Sequence, residues 1–185
     1  LQQKVTEYSS GKKDEIMDFL TNELVPTVDN IYQTYPFRIL AGHRQAGAYA
    51  FTTMMEKQDV FNAFILMSPT IYHIPEPELA MRTFLVNNFN WDDFLYIAQG
   101  FGDDTPMNIS FEISRLLKAH SIERDIDYHF QLFDEVKNAS LVTEAFPDAL
   151  RKLFSDLDLA IMLNYGGITY LNKKTESLKE KYGFD

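Results

Sequence analysis

The sequence predicts an α/β domain built on a mostly parallel sheet, and two observations support this. Short apolar runs alternate along the chain with longer segments in which apolar residues recur at helical spacing. The apolar runs are bounded by Gly, Pro, Asn and Asp residues, as buried strands usually are. Strands that alternate with helices form βαβ units, and their right-handed crossovers place helices on both faces of the sheet. We therefore expect three layers, with the sheet in the middle.

Four apolar runs are the predicted strands, at residues 37–41, 63–67, 93–98 and 127–133. Helical periodicity predicts helices over residues 16–31, 48–58, 77–87, 106–120 and 141–155. The helix at 77–87 has the clearest beginning, because Pro and Glu at its first positions are typical of helix N-termini.

Proline and glycine should interrupt the helices at three places. Pro26 lies inside the first helical pattern and should kink or split it, because proline lacks the N–H that a helix interior needs. The pair Tyr35 and Pro36 should end that helix, since a residue before proline is pushed out of the helical region. Gly166 and Gly167 should break the last helical segment into pieces.

The chain is long enough for one domain with a substantial core. Its 185 residues favour a single domain at 1–155, followed by a helical tail at 156–185. Residues 1–10 are polar and aperiodic, which is typical of a loop. The chain begins at Leu1 and not at Met, so we expect that an upstream portion belongs to the natural protein.

Composition excludes several function classes. A net charge of −10 argues against nucleic-acid binding, which needs clustered Lys and Arg to neutralise phosphates. The absence of Cys rules out disulfides and thiolate metal sites, and it is compatible with either the cytoplasm or the periplasm. No apolar run approaches the length of a membrane span, and no signal-peptide pattern is present. No group of metal ligands at suitable spacing appears, so we expect neither a metal nor a cofactor.

The turn at residues 42–47 organises the rest of the chain. Its sequence, GHRQAG, lies between the first predicted strand and a helix. Strand, tight turn of small residues and helix is the context of a G-x-S-x-G nucleophile elbow. Arg44 stands where that motif has its serine, and Ala46 replaces the final glycine, with Gly47 directly after it. The sequence therefore predicts the frame of a hydrolase elbow without its nucleophile.

Two runs carry a resemblance to a known family: FLTNELVPTVDNIYQTYPFRILAGHRQAGAYAF and FNAFILMSPTIY. They are similar to the α/β-hydrolases of the putative-esterase group, which includes enterochelin-esterase-like and esterase D enzymes. FLYIAQGFGDD resembles the strand that carries the catalytic acid in this family, and YHFQLFDEVKNASLVTEAFPDALRKLF resembles the segment that carries the histidine. The closing YLNKKTESLKEKYGFD is similar to a tail helix in some bacterial members. The resemblance implies the second half of an α/β-hydrolase sheet, and a serine ester hydrolase as the ancestral activity.

The resemblance also implies which residues occupy the catalytic positions. The nucleophile position falls on Arg44, and the backbone N–H of Gln45 would be one oxyanion-hole donor. The acid falls on Asp103, with Asp104 as the alternative. The histidine position falls on Asn138, or on Lys137 in another alignment.

These substitutions remove the chemistry of the triad. Acyl transfer in this fold needs a hydroxyl whose proton is taken by a base. The guanidinium of Arg44 stays protonated in proteins, and the amide of Asn138 does not exchange a proton near neutral pH. We therefore predict a contact between Arg44 and the carboxylate of Asp103 or Asp104, or a bound anion in its place, because a positive charge at a helix N-terminus is unfavourable alone.

Three functions follow as hypotheses. The first is a catalytically impaired esterase-like domain that binds an ester or an anionic ligand, with His43, His73 and Asp104 as candidate ligand contacts. The second is an active carboxylic-ester hydrolase of the enterochelin-esterase-like family. The third is a non-enzymatic half-domain that binds a ligand or partner, and that completes its sheet with an N-terminal segment upstream of Leu1 or associates as a homo-oligomer.

Overall fold

The computed structural model of the chain describes residues 12–56, 59–101, 107–122, 126–134, 136, 139–157 and 167–183. The strands are β1 (Ile39–His43), β2 (Ala63–Met67), β3 (Phe94–Gly100) and β4 (Tyr128–Phe133). The α-helices are α1 (Lys12–Asp18), α2 (Val25–Ile31), α3 (Gln45–Glu56), α4 (Pro77–Asn87), α5 (Met107–His120), α6 (Ala139–Leu153) and α7 (Gly167–Tyr182). Short 3-10 turns lie at Ile71–His73 and Ser155–Leu157.

The four strands form one parallel sheet in the order β1-β2-β3-β4. This confirms the predicted fold class, a mostly parallel α/β sheet. β1 begins and ends two residues later than the predicted 37–41. Phe37 lies outside the sheet because its ring packs against those of Phe154 and Tyr182. At the other end, the N–H of Arg44 still donates to the carbonyl of Met67, so the pairing continues past His43.

Helices cover both faces of the sheet, as the alternation of strands and helices predicted. Successive side chains of a strand point to opposite faces, and the buried residues of β2 and β3 accordingly divide between two apolar clusters. On one face, Phe64, Leu66, Leu95 and Ile97 pack with residues of α3, α4 and α5, including Phe51, Met54, Met81, Leu85, Ile113 and Leu117. On the other face, Ala63, Ile65, Met67, Phe94, Tyr96 and Ala98 pack with Leu141, Ala145, Ala149 and Leu153 of α6.

The first helical segment is not split at Pro26, which corrects that part of the prediction, whereas a kink there stays a prediction. α1 and α2 are joined by a π-helical turn, Phe19–Leu24, and both Leu24 and Val25 keep helical dihedral angles. Pro26 lies in the first turn of α2, where the missing N–H is tolerated.

The same segment ends at Ile31, the last residue of the predicted range, and Tyr35 and Pro36 are not what ends it. Tyr32 is already extended, with φ −116° and ψ 149°, four residues before Pro36. The carboxylate of Asp29 accepts hydrogen bonds from the hydroxyl of Thr34 at 2.6 Å and from the guanidinium of Arg38 at 2.6 Å. These bonds hold the extended residues against the last helical turn. The helix therefore ends at Ile31, well before Pro36.

α7 packs against the end of α6 and the entry to β1. The hydroxyl of Tyr182 donates to the carbonyl of Leu153 at 3.0 Å, and its ring lies 4.8 Å from that of Phe37 and 5.6 Å from that of Phe154. Lys181 Nζ lies 3.0 Å from Asp156 Oδ2. α7 begins at Gly167, and the predicted division into a domain at 1–155 and a tail at 156–185 stays a prediction.

Asp93, just before β3, is expected to make stability depend on pH. Its Oδ2 accepts a hydrogen bond from the indole Nε1 of Trp91 at 2.9 Å. Burial raises the pKa of Asp93 to about 6, although the Trp91 hydrogen bond lowers it, and the neighbouring charge of Asp92 raises it further. The folded state therefore favours the protonated acid.

Because the folded pKa lies above the ordinary value, this contribution to the free energy of unfolding is complete below about pH 4 and is lost as the pH rises to about 6. We expect a change on the order of 1 kcal/mol, since Asp93 is only partly buried. Urea unfolding between pH 4 and 7 should show it in the wild type and not in Asp93→Asn. Trp91 is the single tryptophan, so its fluorescence should titrate near pH 6. Identical pH profiles for the two proteins would contradict this assignment.

Candidate active site

The carboxyl ends of β1, β2 and β3 lie side by side at one end of the sheet. The N–H of Arg44, directly after β1, donates to the carbonyl of Met67 at 3.0 Å. The N–H of Ser68, directly after β2, donates to the carbonyl of Ala98 at 2.8 Å. Ligand sites in open parallel sheets lie outside these carboxyl ends. The structure thus brings Arg44, at the predicted elbow, and Ser68 to the same end of the sheet.

Arg44 has a left-handed backbone, with φ 54°. This conformation is uncommon for a residue with a side chain and costs on the order of 1 kcal/mol or more, so the surroundings must enforce it. The carbonyl of Arg44 accepts the N–H of Ala48 at 2.9 Å and the N–H of Thr70 at 3.1 Å. The turn is therefore fixed both to α3 and to the loop after β2. A sharp, strained turn from strand to helix is the geometry of a nucleophile elbow.

The small residues of the turn allow the strand and the helix to meet at very short distances. A Cβ on Gly42 would lie 2.2 Å from the carbonyl oxygen of Ala46 and 2.6 Å from the nitrogen of Gly47. A Cβ on Gly47 would lie 2.9 Å from the carbonyl oxygen of Gly42 and 3.1 Å from Pro69 Cβ. Distances below 3.0 Å to backbone atoms require the backbone to move. The elbow therefore needs Gly42.

A second strained residue, Ser68, lies next to Arg44 and was missed as a site residue. Its φ is 39°, and its side chain is fully buried. Ser68 Oγ accepts the N–H of Gly100 at 3.1 Å and lies 3.4 Å from Gln99 Nε2. Its signal in the sequence is the Ser-Pro pair directly after a buried strand, a pattern that by itself predicts only the end of that strand. In this arrangement Ser68 Oγ links β2 to β3, and burial keeps it from a substrate.

The predicted ligand contacts occupy different surroundings. His43 is the last residue of β1 and is half-buried, with Nε2 turned to the interior. His73 lies in the 3-10 turn after β2; its side chain is exposed, and its ring is 4.1 Å from that of Tyr72. Gln45 is the first residue of α3, and its role as an oxyanion donor stays a prediction.

The other predicted catalytic positions fall outside the described residues. These are Asp103, its alternative Asp104, and Asn138 with its alternative Lys137. The predicted contact between Arg44 and the carboxylate of Asp103 or Asp104 therefore also stays a prediction. Within the described ranges, no group of three or more His, Asp or Glu side chains could hold a metal ion. No described helix is long and apolar enough to cross a bilayer.

Two open grooves lie along α4, and neither is lined by Arg44. One, of about 480 Å³, has Met55, Leu79 and Phe84 among its lining residues. The other, of about 330 Å³, lies at the N-terminal end of α4 beside Glu76, Arg82 and Ile109. Concavity alone would therefore have pointed to α4. Arg44 and Ser68, two of the described non-glycine residues with a positive φ, lie instead at the strand ends; the third, Glu76, has φ 44° and lines both grooves.

Sequence and structure comparisons identify what the chain is similar to. A family model described as "Putative esterase" matches residues 2–130. Among solved structures, an IroE-like serine hydrolase from Shewanella oneidensis is 17% identical, with a TM-score of 0.74 over 90% of this chain and 54% of that one. BES protein from Bacillus cereus is 15% identical, with a TM-score of 0.62 over 76% of this chain and 55% of that one.

A more distant match is the siderophore hydrolase EstA from Aspergillus nidulans, which is 15% identical, with a TM-score of 0.56 over 78% of this chain and 57% of that one. At these identities the structural matches show the fold. This chain spans about half the length of the structures that it matches. Among curated proteins, no sequence matches it.

Proposed function

The chain belongs to the putative esterase family, and from this premise we propose that it is an esterase-like α/β-hydrolase domain in which ester hydrolysis is impaired. The observation that carries the proposal is the position of Arg44. Its left-handed backbone, its hydrogen bond to Met67 and its place before α3 are those of the residue that a hydrolase elbow exposes to substrate. Here that residue is an arginine.

Arginine cannot perform the nucleophile's reaction. In acyl transfer, an oxygen attacks the carbonyl carbon while a base removes its proton. The guanidinium has five N–H donors, no acceptor and no accessible deprotonated form, so it offers no electron pair to a carbonyl carbon. The resemblance to the family implies that Asn138 replaces the histidine, which would remove the base as well.

Arg44 supports binding in place of catalysis. Arg44 lies at the N-terminus of α3, where the helix dipole places partial positive charge. An anion at this point is therefore attracted by the guanidinium and by the helix dipole. We expect the compensating negative charge to come from Asp103 or Asp104, or from a carboxylate of a bound ester or anionic ligand. A contact with Asp103 or Asp104 would hold the guanidinium above the strand ends and close the elbow to an acyl substrate, whereas a bound ligand would occupy the elbow through its own carboxylate.

The alternative, an active carboxylic-ester hydrolase, would need another nucleophile at the same carboxyl ends of the strands. Ser68 is the described serine that lies there, and it has a strained backbone of its own. Its side chain is fully buried and accepts the N–H of Gly100, which favours a structural role. A non-enzymatic half-domain that binds a ligand or partner is the third candidate.

Hydrolysis and active-site labelling test the proposal directly. We expect the wild-type chain to hydrolyse p-nitrophenyl acetate no faster than buffer and to remain unlabelled by a fluorophosphonate probe. The double variant Arg44→Ser with Asn138→His should gain labelling at residue 44, since it restores both a hydroxyl and a base. Arg44→Ala with Asn138→His is the matched control and should stay unlabelled. Stoichiometric labelling of any serine in the wild type, Ser68 included, would refute the proposal.

A further inference from the structure

The larger of the two grooves beside α4, with a volume of about 480 Å³, follows this helix along its whole length and is called the α4 groove. Four of its lining residues, Glu76, Ala80, Thr83 and Asn87, recur every three or four positions, so they lie in a row on one side of the helix. The 11 residues of α4 span about 16 Å. The α4 groove therefore has the shape for an elongated occupant of about three helical turns.

Apolar side chains from both α3 and α4 line the α4 groove. Met55 comes from the last turn of α3, and Leu79 and Phe84 come from α4. Phe84 is buried and Met55 is half-buried, but Leu79 is 54% exposed, so an occupant would remove apolar surface from water. Ala80 and Thr83 have small side chains, which lets another helix approach α4 closely.

The backbone of α4 favours a helix over a strand as the occupant. The N–H and C=O groups inside α4 are bonded within the helix, so they offer no partners to a strand. A docked helix would satisfy its own backbone groups and would need only side-chain contacts. Amphipathic helices bind in this way, with the apolar face laid into an apolar groove.

Carboxylates at the α4 groove determine which charge the occupant should carry. Glu56 and Glu76 line it, and its lining, in the described part of the chain, includes no Lys, Arg or His. Glu56 ends α3, where the helix dipole adds partial negative charge, so a cation there is attracted by the carboxylate and by the dipole. Arg82 lines the smaller groove instead.

The same charges disfavour a second copy of this chain. Two copies joined through this surface would each contribute the carboxylates of Glu56 and Glu76, together with that of Glu78 in the first turn of α4. Each copy also has a net charge of −10. A polypeptide of different sequence with Lys or Arg side chains is instead electrostatically complementary.

Glu76 is held at the groove by an unusual backbone conformation. Its φ is 44°, although a residue before proline normally stays extended and a residue with a side chain seldom adopts a left-handed conformation. Its carbonyl accepts the N–H of Ala80 at 3.0 Å and so begins α4. Because this backbone position is fixed, less conformational freedom is lost when the carboxylate binds a cation.

The α4 groove is separate from the elbow and from the β1 edge of the sheet. α3 packs over β1 and β2, whereas α4 packs against α5, which lies over β3. Arg44 is not among the residues that line the groove. Binding at the groove therefore does not depend on chemistry at the elbow.

We propose that the α4 groove docks an amphipathic helix of another polypeptide, in which Lys or Arg side chains flank an apolar stripe. The stripe packs on Met55, Leu79 and Phe84. The basic side chains pair with Glu56 and Glu76, which fixes the orientation of the docked helix. This role holds whether or not ester hydrolysis is impaired.

A labelled helical peptide tests the proposal. The probe is a fluorescein-labelled peptide of two repeats of Lys-Leu-Ala-Lys-Lys-Leu-Ala, and fluorescence anisotropy at low salt measures its Kd for the full chain. Thr83→Arg puts a long cationic side chain into the groove, and it should fold because Thr83 is exposed and Arg is a good helix former. We expect this variant to weaken binding about tenfold or more. Asn22→Arg adds the same charge at an exposed position outside the groove, and it should change Kd by less than about twofold.

Two matched probes separate helix docking from general attraction to an acidic protein. A peptide of the same composition, reordered so that Leu and Lys alternate, keeps its charge but has no apolar stripe on a helix. The peptide with Glu in place of Lys keeps the stripe but is repelled. Both should bind at least about tenfold more weakly than the first. Methyl NMR of the methionines should show a shift of the Met55 signal on binding, because Met55 lines the groove.

Equal Kd values for Thr83→Arg and Asn22→Arg would overturn the proposal, as would equal binding of the ordered and reordered peptides, or absence of binding by all of them. An unshifted Met55 signal would also overturn it. If Thr83→Arg does not fold, Leu79→Ala serves in its place, since it only shortens an exposed side chain of the groove. A wild-type dimer that either variant converts to a monomer would likewise overturn the proposal, since the occupant would then be a second copy of this chain.

Discussion

Gly42→Ala is expected to lower the free energy of unfolding by at least about 3 kcal/mol, or to prevent folding. The added Cβ would lie 2.2 Å from the carbonyl oxygen of Ala46 and 2.3 Å from its carbonyl carbon. These are backbone atoms in the first turn of α3, so no side-chain rotation can relieve the contact. β1 and α3 would have to move apart, and the buried Phe51 and Met54 of α3 would lose part of their packing against the sheet. Urea unfolding followed by circular dichroism measures the change.

Ala41→Gly, one position earlier in β1, is the matched control. Ala41 is exposed, and its replacement removes a methyl group without creating a contact, so we expect a cost of no more than about 1 kcal/mol from added chain flexibility. A similar cost for both substitutions would mean that the close approach at Gly42 does not limit the elbow. A stable, fully folded Gly42→Ala protein would contradict the packing described for this turn.

Where local signals agreed with burial, the sequence was sufficient to predict the fold. β2 lies at the predicted 63–67 because all five residues are buried, and a Ser-Pro pair follows them. α4 begins and ends as predicted, at 77 and 87, because Pro77 and Glu78 mark its first turn. In both cases the signals that mark the element lie within it or directly beside it in the sequence. No distant contact was needed to place its boundaries.

Elements whose boundaries depend on distant contacts were predicted less well. Phe37 has the character of a strand residue, but its ring packs with Phe154 and Tyr182, so β1 begins only at Ile39. The π turn before Pro26 changes the helix type, which periodicity cannot reveal because apolar spacing remains nearly helical. The sequence placed α7 in outline, but the surface against which it packs could be known only from the structure.

The residues of the candidate site, too, were predicted where the signal is local in sequence and missed where it is not. The small residues around Arg44 predicted the elbow, because a tight turn between strand and helix restricts composition at each of its positions. Ser68 was missed because its left-handed backbone has no signal in the local sequence, and because its hydrogen-bond partner, Gly100, belongs to β3, which is distant in sequence. The assignments of Asp103 and Asn138 rest on family resemblance alone, and both residues lie outside the described part of the chain.

Tyr182→Ala is expected to lower the free energy of unfolding by about 3 kcal/mol. The side chain of Tyr182 is buried where α7 meets the end of α6 and the entry to β1; its ring packs edge-on against Phe37 and lies 5.6 Å from that of Phe154. Its hydroxyl donates to the carbonyl of Leu153, at the end of α6. Truncation therefore creates a cavity between three aromatic positions and leaves that carbonyl without its donor, and each effect is destabilising. Equilibrium urea unfolding measures the loss.

Tyr182→Phe separates the two contributions, because it keeps the ring and removes only the hydroxyl. We expect it to cost about 1 kcal/mol, the usual value of one hydrogen bond. Limited trypsin digestion then shows whether α7 behaves as the separate tail that the sequence predicts. If it does, Tyr182→Ala should expose Lys179 and Lys181 to cleavage while the sheet stays protected, because α7 can detach while the two apolar clusters on the sheet remain intact. Simultaneous digestion of α7 and the sheet in Tyr182→Ala would mean that α7 and the sheet unfold as one unit. Wild-type stability in Tyr182→Ala would mean that the ring contributes nothing to docking α7.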